Sequence, residues 1–167
     1  METDTLTLEH LRAVLAEYAT DVLEAYKAAH IASGRPASHK LLDTARAIVD
    51  TGDGWVQVSL NLQDYWKYIE FGTAPHWPPL DAIEKWILVK PVDPYPDERG
   101  RKPTPRELAR KIRWKISQEG TEGSEDLLKA VEEINARYEQ RIEDAIAADM
   151  DAMAGDMLQT LVRSWTR

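Results

Sequence analysis

Cysteine is absent from this chain, which removes disulfides and thiolate metal ligands and suits a reducing compartment. Long apolar runs are absent as well. The N-terminus, Met1-Glu-Thr-Asp-Thr5, lacks the basic start and apolar centre of a signal peptide, so a soluble chain that is not exported is expected, with no membrane partner. No G-x-S-x-G, Walker-type glycine loop or G-x-G-x-x-G occurs. The histidines, His10, His30, His39 and His76, have no His-x-x-x-His spacing and read as surface or loop residues rather than ligands. No metal, cofactor, small-molecule substrate or catalysis is expected. Positive charge is also short: 21 Lys and Arg stand against 29 Asp and Glu, a formal net charge of -8, which argues against a surface that grips nucleic acid throughout.

What is present is unevenly distributed. At 167 residues the chain suits one domain, expected over 1–149 with a helical extension over 150–167. Residues Arg99 to Lys115 carry basic side chains with Glu107 the one acid, whereas Glu119 to Asp156 is strongly acidic with only Lys129, Arg137 and Arg141 against it. Such blocks invite pairing within a protomer or head-to-tail between neighbours. The stretch from Tyr65 to Trp86 holds Tyr65, Trp66, Tyr68, Phe71, Trp77 and Trp86, a density of aromatics that marks a core or an interface. Gly72 breaks that pattern, and Pro75, Pro78 and Pro79 hold the following residues in a stiff extended loop.

Taken in order, Leu8, Leu11, Leu15, Tyr18, Val22, Ala25 and Ala29 form one stripe of a helix from about Thr7, its cap, to Ser33. That helix should cover a sheet. Arg46 to Asp50 and Trp55 to Leu62 read as strands joined by a hairpin at Thr51-Gly-Asp-Gly54. Asp64 is a candidate cap for a short helix through Glu70, although the same residues also suit a strand. A second helix opens at Pro79-Leu80 with Leu80, Ile83 and Ile87 inward, and Pro91 ends it. Residues 91–105 form a Pro-rich insertion loop. Thr104-Pro-Arg-Glu107 is a capping box for a third helix with Leu108, Ile112 and Ile116 inward. After a turn at Gly120-Thr-Glu-Gly123, Ser124 caps a last helix with the stripe Leu127, Val131, Ile134, Tyr138, Ile142 and Ala145. Met150, Met153, Met157 and Leu161 continue it past a possible break at Gly155.

The segment YWKYIEFGTAPHWPPLDAIEKW, Tyr65 to Trp86, resembles the tail-completion or neck proteins of tailed bacteriophages, a tail-component family of the head–tail junction. Leu41-Leu42-Asp43-Thr44 is similar to that family's entry into its sheet, with Thr44 in place of Ser, and Glu119-Gly-Thr-Glu-Gly-Ser124 is similar to its Gly-Thr-x-Gly turn. The resemblance spans roughly residues 8 to 150. The Pro-rich segment and the C-terminal tail depart from the shorter members. It implies a structural virion protein of the neck or upper tail, assembled in the host cytoplasm as a homo-oligomeric ring beside other neck, connector and tail proteins and close to packaged DNA. A tail terminator is the alternative of the same class.

The α+β fold expected here is a long N-terminal helix on a small antiparallel sheet, with a long C-terminal helix extending away. Interface residues are expected at Tyr65, Trp66, Tyr68, Glu70, Phe71, Gly72, His76 and Trp77, at Arg106, Arg110 and Lys111, and at Trp165. Two bolder readings compete. Residues 99–115, with Trp114 among the basic side chains, suit a DNA-contacting module, although a helix face paired with the acidic last helix is the simpler account. Glu70 and Asp81 could form a carboxylate pair, but a helix cap at Asp81 and a salt bridge at Glu70 are favoured.

Overall fold

The first apolar stripe folds as expected, as helix α1 (Glu9–Ala32). The computed structural model describes residues 7–34, 40–90, 92–96 and 100–165, and within them the chain is α+β. A helical turn, α2 (Lys40–Thr44), buries Leu41 and Leu42 ahead of the hairpin β1 (Arg46–Gly52) and β2 (Trp55–Asn61). Then come α3 (Trp66–Glu70), the short strand β3 (Gly72–Thr73), α4 (Leu80–Val89), α5 (Pro105–Glu119), the short strand β4 (Thr121–Glu122) and α6 (Asp126–Trp165). Contacts divide the chain into two compact units. The first comprises Met1–Ala29, Thr44–Leu62 and Leu127–Arg167, and the second His30–Asp43 and Gln63–Asp126.

In the first unit, the antiparallel register runs from Arg46 opposite Asn61 to Gly52 opposite Trp55, with Gly54 at φ 73° in the turn. Only a residue without Cβ takes that conformation cheaply. Leu60 of β2 packs against a core of Val22, Ile134 and Tyr138, joined by Val14, Tyr18, Val131 and Ile142, so α1 does cover the sheet and α6 lies with it. Polar groups line this seam and all find partners. The Tyr138 hydroxyl donates to Asp21 at 2.9 Å, the Tyr18 hydroxyl donates to Asn135 at 2.7 Å, and Arg141 pairs with Glu17. Burial pushes the Tyr138 phenol above its usual range, and the neighbouring Asp21 carboxylate adds to the effect.

The cap of α1 is not Thr7. The helix opens at Glu9, and the acceptor for its first amides comes from 138 residues along the chain. Asp149 is 2% exposed, and its Oδ1 accepts from the His10 amide at 3.0 Å while its Oδ2 accepts from the Leu11 amide at 2.9 Å. The His10 ring adds a contact of 2.8 Å through Nδ1. A carboxylate at a helix N-terminus satisfies orphan donors and opposes the helix dipole. No local sequence signal reveals such a cap.

The second unit holds α4 against α5 through Ile83, Ile87 and Ala109, with Leu80, Leu108, Ile112 and Ile116 around them. The capping box at Thr104 and Glu107 is complete, and the hydrogen bonds it donates to Glu107 hold that carboxyl below its usual range. Residues 92–96 and 100–104 are irregular, so the Pro-rich loop ends at Thr104 because Pro105 is already helical. Four local expectations fail. Asp64 does not cap α3, whose cap position is Tyr65 without a side-chain bond, and Asp81 sits inside the first turn of α4, after Pro79 at the cap. His30, expected at the surface, is 2% exposed with its ring 2.9 Å from Asp126. Gly155 does not break α6, which runs for 40 residues, about 60 Å at ~1.5 Å per residue.

Asp149 yields a pH prediction. Burial alone would raise its pKa, but the hydrogen bonds from Leu11 and His10 outweigh it and the net shift is downward. A lowered folded value means stabilisation that is complete above the unfolded value of about 3.9 and lost as pH falls through the folded one. Asp149→Asn should therefore lower the urea midpoint near neutral pH and shrink its fall between neutral pH and pH 3. Parallel profiles for parent and variant would remove Asp149 from the acid response.

Candidate functional site

Two sequence segments 48 residues apart meet backbone to backbone. Gly72 lies opposite Glu122 and Thr73 opposite Thr121, with the two threonine hydroxyls 2.9 Å apart. Beyond this short ladder the Ser124 amide donates to the Ile69 carbonyl at 2.8 Å and the Glu125 amide to the Glu70 carbonyl at 3.2 Å. Glycine makes the approach possible. Gly72 has φ 72° and Gly120 has φ 75°. A Cβ on Gly72 would collide with the Thr121 carbonyl oxygen, one on Gly120 with the Thr73 carbonyl oxygen, and one on Gly123 with the Glu70 carbonyl oxygen. The Glu119–Ser124 stretch is therefore not a free turn but half of a clasp. Its trace in the sequence is the repeated Gly-Thr pair, Gly72-Thr73 and Gly120-Thr121.

The clasp holds the aromatic segment in a defined shape. Trp66 is half-buried with its ring 5.8 Å from that of Phe71, which is itself 72% exposed. Tyr65 and Tyr68 are exposed, the latter with the Lys67 ammonium 5.3 Å from its ring centre. His76 is exposed and tied back through the Ile116 carbonyl, which accepts from its amide at 3.4 Å, and through Nδ1 at 2.9 Å from the Ala74 carbonyl. Trp77 is exposed beneath the Arg113 guanidinium, 5.1 Å away, an arrangement in which the ring quadrupole attracts the cation. The expected interface residues of this stretch thus divide. Tyr65, Tyr68, Phe71, His76 and Trp77 face outward, whereas Glu70, 2% exposed, and Gly72 belong to the frame.

Along residues 100–115 the basic side chains are not equivalent. Arg101 pairs with Glu107, Lys102 with Asp93, Arg106 with Glu84 and Lys115 with Glu119. The basic block is thus answered mainly by acids near it within the same unit, and of these only Glu119 belongs to the acidic block. Arg110 and Lys111 are exposed and make no ion pair among the described residues. Arg99 lies outside the described residues. Trp165, at the end of α6, is 87% exposed.

The carboxylate-pair reading fares differently at its two members. Glu70 is buried within the clasp while Asp81 is exposed in the first turn of α4. Among the described residues no group of His, Asp and Glu is arranged to hold a metal, and no helix is long and apolar enough to cross a membrane. What the clasp region presents is a rim of exposed aromatics on a glycine-built frame, while Arg110 and Lys111 stand exposed along α5.

Replacing Gly72 by Val places a branched side chain at positive φ and against the Thr121 carbonyl. The clasp should open, with a stability loss of at least ~1–3 kcal/mol from backbone strain alone. A melting temperature equal to that of the parent would show that the approach of β3 to β4 is dispensable.

Comparison of the chain with protein-family models, with curated proteins and with solved structures returned no match.

Proposed function

We propose that this chain is a structural subunit of a tailed-phage particle, a tail-completion or neck component that assembles with copies of itself into a ring at the head–tail junction or upper tail. The observation that carries this reading is the end of α6. Met157, Leu158, Leu161, Val162 and Trp165 are each 53% to 87% exposed on consecutive helical turns, and a soluble monomer rarely leaves an apolar stripe of that length in water. The aromatic rim beside the clasp is a second such surface. The family resemblance adds the setting, since two of its motifs, Tyr65–Thr73 and Glu119–Ser124, are the segments that build the clasp. In this reading the protein acts without catalysis, assembles in the host cytoplasm, resides in the virion, and has neighbouring neck, connector and tail proteins as further partners.

A ring needs two different surfaces on each subunit, so that every copy is held by one neighbour and holds the next. Charge supplies part of that asymmetry. Arg110 and Lys111 are exposed cations with no acid taken up among the described residues, while α6 presents exposed acids such as Glu132, Glu139 and Glu143. The DNA-contacting alternative draws on the same cations, but acids already take up Arg101, Lys102, Arg106 and Lys115 of that block.

The purified parent should sediment as a closed oligomer and appear as rings by electron microscopy. Reversal of Arg110 and Lys111 to Glu should weaken self-association, and added salt should weaken the parent's. A parent that stays monomeric at high concentration would defeat the assembly reading. DNA binding that falls steeply with salt would favour the DNA-contacting module instead.

A further inference from the structure

The second unit contains a groove that nothing described fills. It lies along α4 and α5, encloses about 600 Å³, has Ala82, Ile83, Trp86, Ile112 and Ile116 as its apolar lining, and carries Lys115, Glu119 and Glu122 at one end. Its size is that of a site for a drug-sized ligand or a cluster of side chains. The α5 residues that line it run from Ile112 to Glu119, two turns of helix or about 10 Å.

The last turns of α6 have the complementary shape and chemistry. Leu158, Leu161, Val162 and Trp165 fall on one side of the helix at about 3.6 residues per turn, and from Leu158 to Trp165 they also span two turns. All four are exposed. Between Met157 and Trp165 the sole charged residue is Arg163, while the groove carries two acids to one base. Arg163 stands on the opposite side of the helix from the apolar residues, so its charge favours approach without demanding a fixed ion pair.

We propose that the end of α6 from one copy, Leu158 to Trp165, docks in the α4–α5 groove of the next copy. This rests on the assembly reading and names the contact that closes it. Every subunit carries one helix end and one groove, so a single type of contact repeats head to tail and requires no further protein. It is a helix-in-groove recognition, with anchors at i, i+3, i+4 and i+7. The contact forms a ring if the rotation between copies closes and a filament if it does not.

A mixing experiment with full-length chains tests this. A helix-end variant, Leu158→Glu with Leu161→Glu, keeps its groove, and a groove variant, Ala82→Glu with Trp86→Glu, keeps its helix end. All four positions are exposed, so both variants should retain the parent's circular dichroism. Each alone should be monomeric by sedimentation, and a 1:1 mixture should give a dimer that grows no further, because only one productive contact can form. If either variant assembles like the parent, or if the mixture stays monomeric, the docking is overturned while the assembly reading stands. If the parent itself is monomeric, both fall. Should a Glu variant unfold, cysteine replacement decides the matter, since the chain has no cysteine of its own. Leu161→Cys and Trp86→Cys chains, mixed and mildly oxidised, should yield mixed-pair dimers in excess of same-variant dimers, and equal yields would overturn the contact.

Discussion

The close approach of Gly72 and Gly120 to each other's strand is the constraint on which the second unit is built. Each glycine occupies a left-handed conformation, and each lacks the one atom that would collide with a carbonyl oxygen across the ladder. Two strands of two residues would contribute little as a sheet. Their effect comes from where they sit. β3 follows α3 and precedes the proline loop, and β4 directly follows α5, so a few backbone hydrogen bonds tie the start of the aromatic segment to the end of a helix 48 residues later. With Ser124 and Glu125 extending the contact to Ile69 and Glu70, the exposed rings of Phe71, Tyr68 and Trp77 stand on backbone that cannot easily shift.

The first unit solves a different problem, how to join two long helices that are rich in polar residues. Its core is small, Val22, Ile134 and Tyr138 with their neighbours, and its seam depends on tyrosines that contribute both ring area and a hydroxyl. The Tyr18 and Tyr138 rings meet edge to face at 5.5 Å, and each hydroxyl reaches a polar partner, which removes the cost of burying it. Asp149 closes the same seam at its far end by accepting the first amides of α1. Beyond that residue α6 has only Met153 and Gly155 half-buried, and its apolar side chains pass into water. The helix thus packs within its unit up to Asp149 and carries an exposed apolar face after it. Methionine followed by leucine, valine and tryptophan packs adaptably and specifies a unique internal core poorly.

Much of this fold follows from local rules. The stripe of α1, the hairpin and its glycine turn, the capping box at Thr104, and the apolar faces of α4, α5 and α6 depend on residues close in sequence, and periodicity and capping chemistry locate them. The weight placed on the aromatic segment is legible too, because aromatic density and proline stiffness are properties of the chain itself. Errors occurred where one local candidate was offered a role that another group took. Thr7 and Asp64 look like caps, but Asp149 performs the first role and the second helix start goes without a side-chain cap.

What the amino-acid order could not disclose is which distant backbone comes within hydrogen-bonding reach. Glycine announces freedom of conformation but not the strand that exploits it, so the Gly120–Gly123 stretch reads as a turn until Thr73 is placed beside Thr121. The burial of His30 against Asp126, the separation of Glu70 from the exposed rim, and the answering of Arg101, Lys102, Arg106 and Lys115 by nearby acids are likewise decided by packing. Periodicity is written into a segment of ten or twenty residues because it reflects the geometry of one helix or strand. Pairing across the chain depends on the three-dimensional path of everything between, and only the folded molecule contains that.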